Sequence, residues 1–207
     1  MATKLLDLDE QRRNAILNAS LKEFAARGFD AASTNIIAKE AGISKALMFH
    51  YANSKKEIFL FTYDYFTDLM DKEYFGLMNF KETDIFERLH QSYLLQIKLL
   101  IRYPWIFELN KLSAATQSED INHELEARKQ KKQTFCYTQL SDGIDETKFR
   151  QGLDIEMCKQ FIYWSNNGFL QHILNDIRNS IYSEADYEKI LTKLNVYFDE
   201  LKKIFYI

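Results

Sequence analysis

One proline, six glycines and two cysteines are all that the 207 residues hold of these three types, and each scarcity removes a class of structure. So few turn formers leave no room for the frequent reversals of a sandwich or barrel, and long helices are favoured. Cys136 and Cys158 cannot build a disulfide framework, and no Cys–His spacing suggests zinc. No run approaches about 18 uncharged apolar residues, so no membrane-spanning helix is expected. The N-terminus reaches Asp7, Asp9 and Glu10 before any apolar run forms, so no signal peptide is expected either. Catalytic chemistry is equally hard to find. His50, His90, His123 and His172 are scattered and are not read as part of a metal-binding pattern. There is no glycine-rich phosphate loop and no nucleophile elbow. The expectation is an all-helical protein of a reducing compartment, the cytoplasm, with no catalytic residue, metal or cofactor. At 46% hydrophobic and 28% charged, the chain can support one sizeable core or two small ones.

The net charge of −3 hides an uneven distribution. Between Gln11 and Lys56 lie Arg12, Arg13, Lys22, Arg27, Lys39, Lys45, Lys55 and Lys56, against Glu23, Asp30 and Glu40. That segment carries +5 and leaves −8 for the remainder, given the −3 of the whole chain. A basic module on an acidic body is the asymmetry expected where one part meets phosphate and the other does not. A solvated helix face is the alternative reading of the same charges.

Within the basic module the apolar spacing predicts four helices. Ile16, Leu17, Leu21, Phe24 and Ala25 recur at helical intervals until Arg27-Gly28-Phe29, where Gly28 can take the left-handed conformation that ends a helix. Ser33 or Thr34 offers a capping hydroxyl to a short helix from Thr34 to Ala41. Gly42-Ile43-Ser44 then supplies a glycine stop, an apolar residue to bury, and a cap for a second short helix from Lys45 to Tyr51. Ser54 with Glu57 makes a capping box for a long helix reaching about Phe75. Two short helices across a turn led by glycine form a helix-turn-helix, whose second helix normally lies in the major groove.

The stretch Arg12 to Ile58 resembles the DNA-binding domain of the TetR family of bacterial transcriptional regulators. The likeness rests on Ala15-Ile16-Leu17-Asn18-Ala19, on Phe24 to Phe29, on Thr34 to Ser44, on Met48-Phe49-His50-Tyr51 and on Ser54-Lys55-Lys56-Glu57-Ile58. Two positions depart from it: Phe49 where the family generally has tyrosine, and Ala52 where it generally has phenylalanine. The resemblance implies a DNA-binding domain over residues 9–56, with the helix-turn-helix at about 33–52, joined by a long helix to a helical effector-binding and dimerisation domain over residues 57–207.

At about 100° per residue, Ser44, Met48, Tyr51 and Ala52 share one face of the second short helix, and Met48 turns inward. Ala46, Phe49 and His50 point away, flanked by Lys45 and Leu47. Lys45 can donate to guanine or phosphate, Ala46 and Leu47 can meet thymine methyls, and His50 can donate to a phosphate or base edge. Thr34 stands at a helix N-terminus, where free N–H groups attract an anion. The resemblance implies a phosphate contact at Lys55 and also at position 49, where phenylalanine lacks the hydroxyl. The residues expected at DNA are Thr34, Asn35, Ser44, Lys45, Ala46, Leu47, Phe49, His50, Tyr51 and Lys55.

Beyond the fourth helix, apolar periodicity continues in blocks: Phe86 to Leu100, a helix opened by Pro104 at its first position, Ile121 to about Leu140, Ile155 to Asn175, and a final stripe from Tyr187 to Phe205. The run Arg128-Lys129-Gln130-Lys131-Lys132 reads as a solvated helix face. The resemblance implies a homodimer built on the last two long helices, for which Phe161, Phe169, His172, Ile173, Tyr187, Leu191, Leu194, Phe198 and Leu201 are candidates. It also implies a small-molecule effector. Phe61, Tyr65, Tyr93, Gln96, Trp105, Asn110, Phe135, Trp164 and Asn167 mix aromatic walls with polar groups and are the pocket candidates. The function expected is a repressor that binds a palindromic operator in double-stranded DNA as a dimer and is released by a small hydrophobic or aromatic effector. An activator, a thiol- or protein-responsive regulator, and an all-helical ligand carrier or enzyme are the competing readings.

Overall fold

A computed structural model describes residues 4–114, 116–129, 140–179 and 186–207. Among them the α-helices are α1 (Glu10–Ala31), α2 (Thr34–Glu40), α3 (Lys45–Tyr51), α4 (Lys55–Glu73), α5 (Ile85–Arg102), α6 (Leu109–Ala114), α7 (Glu119–Lys129), α8 (Ile155–Arg178) and α9 (Tyr187–Phe205). No strand occurs among the described residues; Phe149 and Tyr206 make one isolated antiparallel bridge. The chain is all-α, as its lack of turn formers predicts.

Two compact units divide the chain: residues 1–71 with 103–134, and residues 72–102 with 135–207. In the first, Ile16, Leu17, Leu21 and Phe24 of α1 are buried with Ile37 of α2, Met48 of α3, and Ile58 and Phe59 of α4. Phe59 meets Phe24 edge-on at 4.9 Å and Phe29 at 5.4 Å. Gly28 sits at φ 67°, a conformation that costs other residues a clash at Cβ, and breaks the helical path of α1 there. The second unit packs α5, α8 and α9 around Phe86, Tyr93, Ile97, Ile162, Ile173, Leu194 and Phe198.

Local details differ from the sequence expectations in three places. Pro104 lies in a turn before a short 3-10 helix (Ile106–Glu108) and does not open an α-helix, because the Ile106 N–H already bonds the Tyr103 carbonyl at 3.0 Å. Ser33 precedes α2 without a side-chain cap; the buried Glu23 carboxylate instead accepts the Ser33 N–H at 2.9 Å. At α4, Ser54 Oγ accepts the Glu57 N–H as expected, but Glu57 reaches back to the N–H of Asn53 at 2.9 Å, one residue earlier than a regular capping box. The helix expected from Ile121 to about Leu140 is described from Glu119 to Lys129; residues 130–139, with Phe135, Cys136 and most of the basic run, lie outside the described residues.

Candidate nucleic-acid interface

The turn between α2 and α3 is built by hydrogen bonds that leave α3 facing outward. Gly42, at φ 68°, lets the chain reverse while the Ala41, Gly42 and Ile43 N–H groups bond the carbonyls of Ile37, Lys39 and Ala38. Ile43, expected to be buried, is half-buried. Ser44 then caps α3, its Oγ accepting the Leu47 N–H at 3.1 Å. Met48 is the fully buried residue of α3, and Ala52 just beyond it is buried as well. Lys45, Ala46, Leu47 and His50 are exposed, and Phe49 is half-buried with the Lys45 ammonium 5.9 Å from its ring centroid. Tyr51 is half-buried, its ring edge-on to His50 at 5.1 Å. Thr34 opens α2 half-buried, and Asn35 beside it is exposed.

The charge surplus of this segment resolves into paired and unpaired groups. Lys22 pairs with Glu40 at 2.9 Å, Arg27 with Glu23 at 3.3 Å, and Arg12 with Asp9 at 3.5 Å. Lys39 at the end of α2 and Lys45 at the start of α3 are exposed and make no ion pair among the described residues. Lys55 opens α4, donates to the Asp30 carbonyl at 3.0 Å and lies 5.0 Å from the Phe29 ring centroid. Of the cations of this segment without an ion pair among the described residues, Lys39, Lys45 and Lys55 lie in or next to the helix-turn-helix and Arg13 lies on α1, a division the sequence count alone did not show.

The same unit ties this motif to residues 103–134. The Asp30 carboxylate accepts the N–H groups of Gln117 and Ser118 at 2.7 and 3.1 Å, and Thr116 Oγ1 accepts the Phe29 N–H at 3.1 Å. Lys56 bridges to Asp120 at 2.7 Å and Glu124 at 3.3 Å, while Arg128 binds Glu124 and Asp64. Arg128, then Lys56, hold the Glu124 carboxyl below its usual range, and the hydrogen bond to Asp120 raises Lys56. Arg128, read from sequence as part of a solvated face, is instead half-buried in this network.

The pocket candidates do not converge on one place. Phe61, Tyr65 and Trp105 belong to the first unit; Tyr65 OH lies 3.2 Å from Tyr103 OH, which donates to Asn14 at 2.9 Å, and Lys22 lies 5.8 Å from the Trp105 ring. Asn110 is on α6 in that unit, and Phe135 lies outside the described residues. In the second unit a cavity of about 520 Å³ is lined by Tyr93, Gln96 and Asn167 of the expected set, with walls from Leu89, Ile162 and Leu170. Trp164 does not line it; it stands 56% exposed on α8, 5.9 Å from the Phe161 ring. Asn166, Ser92, Lys159 and Tyr163 also line the cavity and were missed from sequence. A polar pair inside an apolar helix, Asn166-Asn167, and the Ser92/Gln96 pair one turn apart were the available signals.

The expected dimer face is likewise split. Ile173, Leu194, Phe198 and Leu201 are buried in the second unit, Phe198 against Phe86 and Tyr93, so they are corrected from interface to core. Phe161 and His172 are exposed, Phe169 stacks on Tyr197 at 4.4 Å, and Tyr187 and Leu191 are half-buried. Met157, Trp164, Val196 and Ile204 add exposed apolar surface on α8 and α9. His172 also faces Asp176 at 3.7 Å, a pairing at four-residue spacing overlooked in the sequence; no group of three metal-ligating residues forms among the described residues. Cys158 is buried, and that burial pushes its thiol up, away from the reactive thiolate. No described helix is long and apolar enough to cross a membrane.

Residues 16–60 match the family described as "Bacterial regulatory proteins, tetR family". Among solved structures, the ketosteroid transcriptional regulator KstR2 of Mycobacterium tuberculosis is similar over 97% of both chains, at 19% identity and a TM-score of 0.57. A TetR family transcriptional regulator from Chloroflexus aurantiacus J-10-fl is similar over 99% of this chain and 97% of its own, at 17% identity and a TM-score of 0.55. Likeness at such identities establishes the fold. None of the curated proteins compared with the chain matches it.

Proposed function

We propose that this chain, whose residues 16–60 match the tetR family of bacterial regulatory proteins, is a DNA-binding transcriptional regulator and a cytoplasmic repressor, dimeric on a palindromic operator and released by a small apolar or aromatic effector. The observation that carries the reading is the surface of α3, which commits Met48 to the core and leaves Lys45, Ala46, Leu47 and His50 outside. Lysine reads guanine or phosphate, and alanine and leucine suit thymine methyls, so this helix has the chemistry of major-groove readout. Thr34, Asn35, Ser44, Phe49, Tyr51 and Lys55 then serve as its flanking contacts, Lys55 with the ammonium donors that Asp30 does not use. Functionally, residues 9–56 form the DNA-reading domain and 57–207 the effector and dimer domain, although the compact units divide elsewhere.

Dimerisation is supported by the physics of the site. One seven-residue helix reads few base pairs, and two-fold symmetry doubles the readout on half-sites about one helical turn or a little more apart. The exposed Phe161, Trp164 and His172 on α8 and Val196 and Ile204 on α9 are the surface for it. A thiol-operated switch finds no support at Cys158, which is buried with its thiol pushed up. Selection of random duplex DNA on the purified protein at near-physiological salt tests the reading. Recovery of a palindrome is the expected result; recovery of an asymmetric site, or of no sequence, overturns the dimeric operator reading.

A further inference from the structure

The cavity of the second unit has an unbalanced set of polar groups on its wall. Gln96 Nε2 donates to Ser92 Oγ at 2.8 Å and toward Tyr74 OH at 3.5 Å, but Gln96 Oε1 has no partner. Asn166 is 3% exposed, and neither the oxygen nor the nitrogen of its amide has one among the described residues. Both residues border the same cavity of about 520 Å³. Buried amides are almost always satisfied, and leaving one unmade forfeits its hydration without return. Two acceptors and one NH₂ group are therefore left for a molecule that enters.

The cavity wall is held in place without one. Arg88, buried on α5, donates to the backbone carbonyls of Glu82, Leu140 and Asp142, which fastens the Leu140–Ser141 wall to the start of α5. The charge on the wall is already neutralised. Lys159 is bound to Glu146 at 2.9 Å and Glu156 at 2.6 Å, so it offers no uncommitted cation to an anion.

We propose that this cavity is the effector site and that its ligand is a neutral molecule bearing a primary carboxamide on an apolar or aromatic body. The proposal rests on the reading of the chain as an effector-responsive regulator. A primary amide carries two N–H donors and one carbonyl acceptor, the complement of the two acceptors and one NH₂ group on the wall. A carboxylate has acceptors only; it would face two unpaired oxygens and give up its own hydration. An ammonium group has donors only and would leave the Asn166 NH₂ unmet. Leu89, Ile162 and Leu170, with the rings of Tyr93 and Tyr163, accept the apolar remainder.

Calorimetric titration of the full chain with 4-phenylbutanamide, 4-phenylbutanoate and methyl 4-phenylbutanoate tests this directly. The amide is expected to bind about tenfold tighter than either comparator, as roughly one to two hydrogen bonds would require. Asn166→Leu is expected to melt no lower than the parent and to bind amide and ester alike; Gln96→Met, a second variant of different shape, is expected to narrow the preference. Equal or tighter binding of the carboxylate, an amide preference that survives both substitutions, or no heat with any probe overturns the assignment. Affinity for the selected duplex, measured with and without amide, keeps the two readings apart. Amide binding that leaves DNA affinity unchanged sinks the effector reading and spares the site. Intact DNA binding with no amide binding sinks the site and spares the regulator.

Discussion

Helix α3 and helix α8 both carry apolar side chains on their surfaces, but they do so for different reasons. In α3 Met48 is the fully buried residue, so Leu47 and Ala46 are surplus to the core and belong to whatever the helix meets. In α8 the core is already well served by Ile162, Ile173, Leu174 and Ile177, and Met157, Phe161 and Trp164 make a second apolar face on the outside. A short helix with one inward residue reveals its working surface by subtraction. A long helix apolar on most of its circumference has two candidate faces, and periodicity alone does not say which is core and which is surface.

The sharpest way to break that comparison is to cut each face separately. Phe198→Ala, inside the second unit, is expected to cost about 3–5 kcal/mol in urea unfolding. Trp164→Glu, on the outer face of α8, is expected to leave the per-chain unfolding free energy nearly unchanged while sedimentation velocity at micromolar concentration shifts from dimer to monomer. If Trp164→Glu unfolds the chain as Phe198→Ala does, the outer face is core after all. On α3, Lys45→Ala should reduce affinity for the selected palindrome by about 1–3 kcal/mol, with a smaller loss on random duplex. Lys55→Ala should weaken both duplexes alike and lower the salt slope by about one unit; unchanged affinity and slope would confine Lys55 to its bond with Asp30. The smallest effect is expected at Phe49→Tyr, which should tighten binding by at most about 0.5–1.5 kcal/mol. A marked loss there would show that the ring, beside Lys45, makes an apolar contact that a hydroxyl disrupts.

Much of the helix-turn-helix region was legible because its signals are local. Gly28 and Gly42 stand where positive φ is needed, Ser44 caps the helix it precedes, and Met48 turns inward at helical spacing. The cavity was half legible: Tyr93, Gln96 and Asn167 were found by their polarity on apolar helices, whereas Asn166 was passed over beside Asn167. Phe61, Tyr65 and Trp105 satisfied the same criterion and went to another unit, since an aromatic with a polar neighbour looks identical in sequence wherever its helix packs.

Local chemistry, acting between neighbours within a few residues, set the helix starts and stops, the inward face of α3, the surplus of positive charge up to Lys56, and the scarcity of turns that makes the chain all-helical. Tertiary structure decided what depends on residues far apart in the chain. It chose which lysines are neutralised, as when Asp120 and Glu124 take Lys56 while Lys39 and Lys45 make no ion pair among the described residues. It gave Phe198 to the core and Trp164 to the surface. It also left the Asn166 amide without a partner at a cavity wall, because satisfaction of a buried polar group is a property of the space around it and no helical period encodes that space.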